Sequence, residues 1–362
     1  MAEITNSPDG GVSEITFAEP FEGHAHFRDD GNENILATVL PATARQFSMG
    51  IAMPNLRPPV TTTVRAVGYH GRILAALPDG VNFTPLMTLY ATDGLLPDEI
   101  MRAKDSGIVH GVKLYPKGAT TNSNDGVTDI KKIYSALECM QREGMPLLVH
   151  GEVTDQDIDI FDREAVFIER VLGPLLRDFP ELRVVFEHAT TKDAVDFVKA
   201  AGENVAATIT AHHLLLNRNH LLVGGIRPHY YCLPVLKREI HREALVHAAT
   251  SGNTSFFLGT DTAPHFEGAK QSACGCAGCY TAESAVELYL RVFEMMGELE
   301  NFEKFVSLNG PSFYRLPCST KMVTYKSMEK PWHLPHEIKV GESGKKIIPF
   351  TLTEGLHWIR TS

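Results

Sequence analysis

The chain has 362 residues, 43% of them hydrophobic and 22% charged, with a formal net charge of −10. That length can bury a substantial core, and a net-negative chain without a Lys/Arg-rich block is excluded as a protein built mainly to hold nucleic acid or an anionic membrane surface. No apolar run reaches membrane-spanning length, residues 1–14 lack the basic start and apolar core of a signal peptide, and six cysteines form no disulfide framework in so long a chain, so a cytoplasmic, soluble protein is expected.

The first apolar stretch, 14–24, carries Ile15, Phe17 and Phe21 and ends on His24-Ala25-His26, with Arg28 just beyond. Two imidazoles at i and i+2 on a strand project to one face, so one cation can be held by both. A helical pattern follows at 34–48, then a strand at 49–54 leading into Asn55, and a helix at 62–77. Strand 83–91 precedes a helix at 96–105, whose first turn suits Pro97 and Asp98. Strand 108–114 holds Lys113, and the small polar loop 117–126 separates it from a helix at 128–143 that Gly144 would end. Strand 146–150 ends on His150 and leads to a helix at 162–178. Strand 183–188 ends on His188 and leads to a helix at 192–201, capped by Thr191 and ended by Gly202. Strand 205–211, a helix at 236–250, strand 254–260 and a helix at 281–297 complete the series, and Asp261 stands just past the eighth strand.

Eight alternations imply an α/β fold of the (β/α)8 TIM-barrel type. A doubly wound open sheet is the competing architecture. The expectation is one domain over 1–362, with the barrel over about 14–300 and a C-terminal helix and tail, about 301–362, packed outside it. Pro146-Leu147-Leu148-Val149 and Val184-Val185-Phe186 are apolar without alternation, as in strands buried on both faces. Past residue 299 a last helix is expected near 302–309, then a turn at Asn309-Gly310-Pro311. In the tail His333, His336 and His357 lack the context of an apolar strand.

Residues just past the strands of such a barrel converge on one face. His24, His26, Lys113, His150, His188 and Asp261 would meet there. Each alone reads equally as a hydrogen-bonded core or surface residue; six on one rim read as a metal site. Lys113 lies within Gly111-Val112-Lys113-Leu114-Tyr115, where burial of an ammonium is costly and leaves a neutral, nucleophilic amine. It could form a Schiff base, snorkel to solvent, or react with CO2 to give a bridging carbamate; the surrounding histidines favour the carbamate. Four imidazoles, a carbamate and an aspartate suit two divalent ions, Zn2+ first, roughly 3.5–4 Å apart, and hydrolytic chemistry. The CGCAGC run, with Cys274, Cys276 and Cys279, reads as a tight loop whose backbone meets a ligand rather than as a structural zinc site, because a fourth ligand is missing downstream.

His24-Ala25-His26-Phe27-Arg28, Met53-Pro54-Asn55, Gly111 to Pro116, Val149-His150-Gly151-Glu152, Glu187-His188-Ala189-Thr190 and Gly259 to His265 together resemble the dihydroorotase family of the amidohydrolase superfamily. CGCAGC and Cys232-Leu233-Pro234-Val235-Leu236-Lys237-Arg238 point to its compact, monofunctional bacterial-type branch. The likeness runs from about residue 14 to 317. It implies a (β/α)8 barrel and reversible interconversion of N-carbamoyl-L-aspartate with (S)-dihydroorotate in pyrimidine synthesis. It also implies two Zn2+ per subunit and a homodimer. By the same resemblance His24, His26, carboxylated Lys113 and Asp261 hold the more buried zinc, and His150, His188 and the same lysine hold the second. A bridging hydroxide then attacks the ring carbonyl, and Asp261 carries the proton to the leaving nitrogen.

Arg28, Asn55 and His265 look like the set for the substrate carboxylate. Without the family, Arg28 could pair with Asp29 or Asp30, Asn55 could be a turn former after Pro54, and His265 a loop residue. The backbone at Leu233 and at Ala277-Gly278 would meet the ring amides, and Thr120 and Thr121 would reach substrate as loop 117–126 closes. The family's usual Asp-Trp-His-Leu-His-Leu-Arg opening stands here as Glu22-Gly23-His24-Ala25-His26-Phe27-Arg28, and Phe266-Glu267-Gly268 replace more basic residues. The rival readings are a dihydropyrimidinase- or allantoinase-type hydrolase, whose substrates lack that carboxylate, and a non-catalytic scaffold, which would not need six ligands.

Overall fold

The computed structural model describes residues 2–7, 11–29, 34–273 and 275–361. Eight parallel strands, Phe21–Ala25, Met49–Ala52, Thr84–Tyr90, Val109–Leu114, Leu147–His150, Val184–Glu187, Val205–Ile209 and Phe256–Leu258, are hydrogen-bonded in chain order. Their side chains serve two cores, as strands covered on both faces must. Leu148, Val185, Ala206, Ile51 and Leu86 fill the interior, and Leu147, Val149, Val184 and Phe186 face the helices. Lys113 is in register with Leu148, which is in register with Val185, so the lysine belongs to the interior layer. The open sheet is thereby excluded, because the last strand returns to the first. Asp261 N donates to His24 O at 2.9 Å, His26 N donates to Thr262 O at 3.1 Å, and Ala25 bridges Thr262.

Just below that seam Glu22 Oε1 accepts from the backbone N–H groups of His24 (2.9 Å) and Thr260 (2.8 Å), and burial raises its carboxyl to about 7. Gly23 leaves no room for a side chain: a Cβ there would stand 2.5 Å from Leu258 O and 3.0 Å from the Phe257 ring. Gly23→Ala is therefore expected to destabilise the protein by about 1–3 kcal/mol, the usual cost of overpacking. A urea midpoint equal to that of the unsubstituted protein would show that the seam yields.

The expected strand 14–24 is in fact two. Val12–Ala18 leaves the barrel and joins Glu3–Asn6, Met322–Trp332 and Leu356–Arg360 in a separate antiparallel sheet, and only Phe21–Ala25 enters the barrel. The break falls at Pro20, which has no N–H for a ladder. Glu14-Ile15-Thr16-Phe17 alternates, the mark of a half-buried antiparallel strand. The strands of the tail lie outside the barrel sheet, in a sheet that also includes the N-terminal strands.

Several expected helices are irregular: the eighth begins as a 3-10 turn, Ala282–Ser284, and the last carries a π-helical turn, Lys304–Leu308. The fourth begins as a 3-10 turn, Ile130–Ile133, and the fifth carries a π-helical turn, Ile168–Leu172, ahead of Pro174, which cannot donate a helical hydrogen bond. Asn309-Gly310-Pro311 is not a turn. It opens a helix, Asn309–Tyr314, where proline is tolerated in the first turn, and a Cβ on Gly310 would meet the Phe21 ring at 2.4 Å. Tyr314 closes the bottom of the barrel against Phe21 and Phe257. Thr191 caps its helix as expected, accepting from Ala194 N at 3.1 Å.

Candidate active site

Fourteen of the described residues line one tight pocket at the carboxyl ends of the strands. They include His24, His26, Arg28, Asn55, Thr120, Thr121, His150, His188, Leu233, Asp261, Ala277 and Gly278. Lys113 lies fully buried, its Nζ 5.2 Å from the ring centroid of Tyr115, which lines the same cavity. His265 stands one step outward, sharing the mouth with Arg28, Asn55 and Thr121. Positions as distant in sequence as His24 and Gly278 are thus brought to one place.

Three nitrogen and oxygen atoms face one another at the centre. His24 Nε2 is 3.3 Å from His26 Nε2 and 3.3 Å from Asp261 Oδ1, and His26 Nε2 is 2.9 Å from the same oxygen. The far nitrogens of three histidines are already engaged. His24 Nδ1 contacts Glu187, His26 Nδ1 meets Asn55 Oδ1 at 2.9 Å, and His150 Nε2 meets Glu152 Oε2 at 3.0 Å. Thr208 Oγ1 donates to Glu187 at 2.9 Å and accepts from His188 N at 2.7 Å. An imidazole whose outer nitrogen is held by an acceptor presents its inner lone pair to the cavity, the usual arrangement of a metal-binding histidine.

The electrostatics agree. Burial holds His150 and His188 below the ordinary imidazole range, hence neutral, and burial together with Arg28 lowers His26 to about 3. Burial lowers Lys113 to about 8, against the opposing pull of Glu187 and Asp261. Burial alone would raise Asp261; the contacts with His24 and His26 outweigh it and hold the carboxyl well below its usual range. Lys113 Nζ and His188 Nδ1 are buried with no hydrogen-bond partner among the described residues. A buried amine and an imidazole nitrogen without partners, in the same site as a cluster of two imidazole nitrogens and a carboxylate oxygen, make a donor set suited to divalent cations. His188 (φ 42°) and Asp261 (φ 46°) both take left-handed backbone, local strain of the kind concentrated at functional sites.

At the mouth, Arg28 Nε and Nη1 and His265 Nε2 are also buried without partners among the described residues. Of the two acids that follow it, Asp29 binds Arg72 rather than Arg28, and Asp30 lies outside the described residues. Gly278 (φ 148°) is required here, since a Cβ would stand 2.7 Å from Ala263 O, and it brings bare backbone to the cavity. Lys270 Nζ donates to Gly278 O (2.6 Å) and Tyr231 O (2.7 Å), which fixes the run against the segment before Leu233. In that run Cys279 Sγ lies 3.5 Å from His229 O, and Cys274 is outside the described residues. A further group, His212, His213 and Cys232, is compact enough for a cation. His213, however, uses both nitrogens, on Thr210 Oγ1 (2.7 Å) and Pro234 O (3.0 Å).

Sequence reasoning missed Glu152, Glu187 and Thr208 as supports of the histidines. The first two stand beside His150 and His188 in the motifs, and an acid in an apolar strand is the available signal.

No protein-family model matches the sequence. The dihydroorotase of Cupriavidus taiwanensis is 61% identical over 347 residues, 96% of this chain and 99% of the relative. That of Leptothrix cholodnii is 58% identical over 344 residues, 95% and 98%. Among solved structures, the dihydroorotase of Saccharomyces cerevisiae in complex with 5-fluoroorotic acid superposes with a TM-score of 0.88 at 34% identity, covering 97% of this chain and 99% of the other. The dihydroorotase of Campylobacter jejuni gives 0.86 at 35% identity, 96% and 98%. The L-hydantoinase of Arthrobacter aurescens, at 13% identity and a TM-score of 0.71 over 98% of this chain and 93% of the other, shares the fold.

Proposed function

The chain belongs to the dihydroorotase family, and from that premise we propose how its residues carry the reaction. The activity is the reversible hydrolysis of (S)-dihydroorotate to N-carbamoyl-L-aspartate, a step of pyrimidine synthesis, and hydrolysis in this family depends on metal. The observation that supports the reading best is the convergence of His24, His26 and Asp261 beside the partnerless Lys113 and His188. Two zinc ions fit this set: one held by His24, His26, Lys113 and Asp261, the other by His150, His188 and Lys113. Lys113 would be carboxylated and so would supply an anionic oxygen donor where the neutral amine has none. When bound, such ions make water nucleophilic at neutral pH and polarise a carbonyl.

The remaining work falls to side chains and backbone. Arg28 and His265, buried and without partners, receive the substrate carboxylate, with Asn55 beside them. Backbone at Leu233 and at Ala277 and Gly278 meets the ring amides, and Thr120 and Thr121 cover the substrate and exclude water. Asp261 takes the proton released as the new C–O bond forms and returns it to the ring nitrogen as the C–N bond breaks. Cyclisation is the same path reversed.

Arg28→Met is expected to weaken carboxylated substrate by about 10- to 100-fold in KM, the worth of a charge-assisted hydrogen bond, and to leave uncharged cyclic amides nearly unaffected. Rates on dihydroorotate and dihydrouracil, measured with zinc content on the same sample, test the whole reading. Preference for dihydrouracil would favour a dihydropyrimidinase, and a metal-loaded but inert protein a scaffold. From the same family likeness we infer a cytoplasmic homodimer; light scattering on a sizing column reads the subunit number.

A further inference from the structure

Loop 117–126 is tied to the metal-ligand shell through one side chain that the reaction scheme above does not use. Within the loop, Ser123 is fully buried and bonds both backbone groups of Thr120, its Oγ accepting from Thr120 N (2.9 Å) and donating to Thr120 O (2.6 Å). Gly126 presses so close to Tyr115 O that a Cβ would stand at 2.3 Å. The loop is therefore braced internally by its own side chains and backbone.

Asn122 at its tip takes left-handed backbone, φ 58°, which asparagine and glycine tolerate best. Its Nδ2 donates to Asn55 O at 2.9 Å, its Oδ1 accepts from Arg57 Nε at 2.6 Å, and its backbone O accepts from Tyr90 OH at 3.2 Å. The amide can be oriented only one way, because a guanidinium donates and a carbonyl accepts. Asn55 completes the connection: its Nδ2 donates to Thr121 O at 3.0 Å and its Oδ1 meets His26 Nδ1 at 2.9 Å, while His26 Nε2 lies 2.9 Å from Asp261 Oδ1. A continuous path runs from the loop tip to the proposed proton carrier.

We propose that Asn122 is a positioning residue for the reaction: by joining Asn55 and Arg57 it holds loop 117–126 shut over the site and makes the orientation of His26 depend on that closure. The inference deepens the reading given above and rests on it. Asn122→Gly keeps the left-handed backbone and removes both side-chain bonds. Asn122→Asp keeps the Arg57 contact but sets an oxygen against Asn55 O. In the zinc-loaded protein without substrate, Asn122→Gly is expected to speed hydrogen exchange of the loop amides by about 10-fold, the worth of one or two exposed hydrogen bonds. With dihydroorotate it is expected to lower kcat by a similar factor and to change KM less, with zinc content unchanged. Asn122→Asp should fall between, and Arg57→Met added to Asn122→Gly should cost less than the product of the two single effects. Unchanged loop exchange in Asn122→Gly, or strictly multiplicative effects of the pair, would overturn the proposal. Loop exchange reads the latch without any substrate, so its failure is distinct from a failure of the unsubstituted protein to turn over dihydroorotate.

Discussion

Lys113→Ala is expected to purify with little or no bound zinc and to lose at least about 10³-fold in turnover, because removal of the shared ligand disables both the nucleophile and the polarised carbonyl. The lysine is fully buried in the interior layer, and its Nζ has no hydrogen-bond partner among the described residues. Burial already lowers the amine to about 8, which leaves a usable neutral fraction for reaction with CO2. Alanine leaves a gap the size of the missing side chain, and a small carboxylate such as acetate or propionate can enter it and place two oxygens where the carbamate would lie. Partial return of zinc and of activity with added carboxylate is the expected outcome, read by metal analysis and rates on the same samples. Zinc content equal to that of the unsubstituted protein would sink the bridging role.

Asp261→Asn should fold nearly normally and lose about 10²–10⁴-fold in turnover, the range expected when a general base is removed. The separation of the two effects follows from the geometry. The closing bond from residue 261 to His24 O uses the backbone N–H, which asparagine keeps, whereas the proton-accepting oxygen becomes part of an amide. Circular dichroism and the thermal midpoint report the first property, and turnover in both directions the second. A rate within about 10-fold of the unsubstituted enzyme would remove Asp261 from proton transfer.

The barrel was legible because its strands are short apolar runs and because the candidate ligands end those runs: His150 after Leu147-Leu148-Val149, His188 after Val184-Val185-Phe186-Glu187. What escaped is what depends on partners far away in sequence. Glu187 braces His24 across 163 positions; its place in an apolar strand hints at burial, but no local pattern names the partner. The strand Val12–Ala18 was merged with Phe21–Ala25 because its true neighbour, Met322–Lys326, lies some 300 residues on, as the Thr16 to Thr324 hydroxyl bond at 2.8 Å illustrates. Asn55 was read as a substrate group, and the structure adds that its amide spans His26 and Thr121, a role set by a loop that folds back over it.

The seam where the last strand meets the first also has a consequence for biosynthesis. His24 and His26 leave the ribosome early and Asp261 late, and they become neighbours only when residues 260–262 dock beside 24–26. A nascent or truncated chain without its eighth strand therefore cannot bring Asp261 to His24 and His26, and is expected to be inactive. Any ion that does bind across this junction favours the finished ring over the opened one, by mass action.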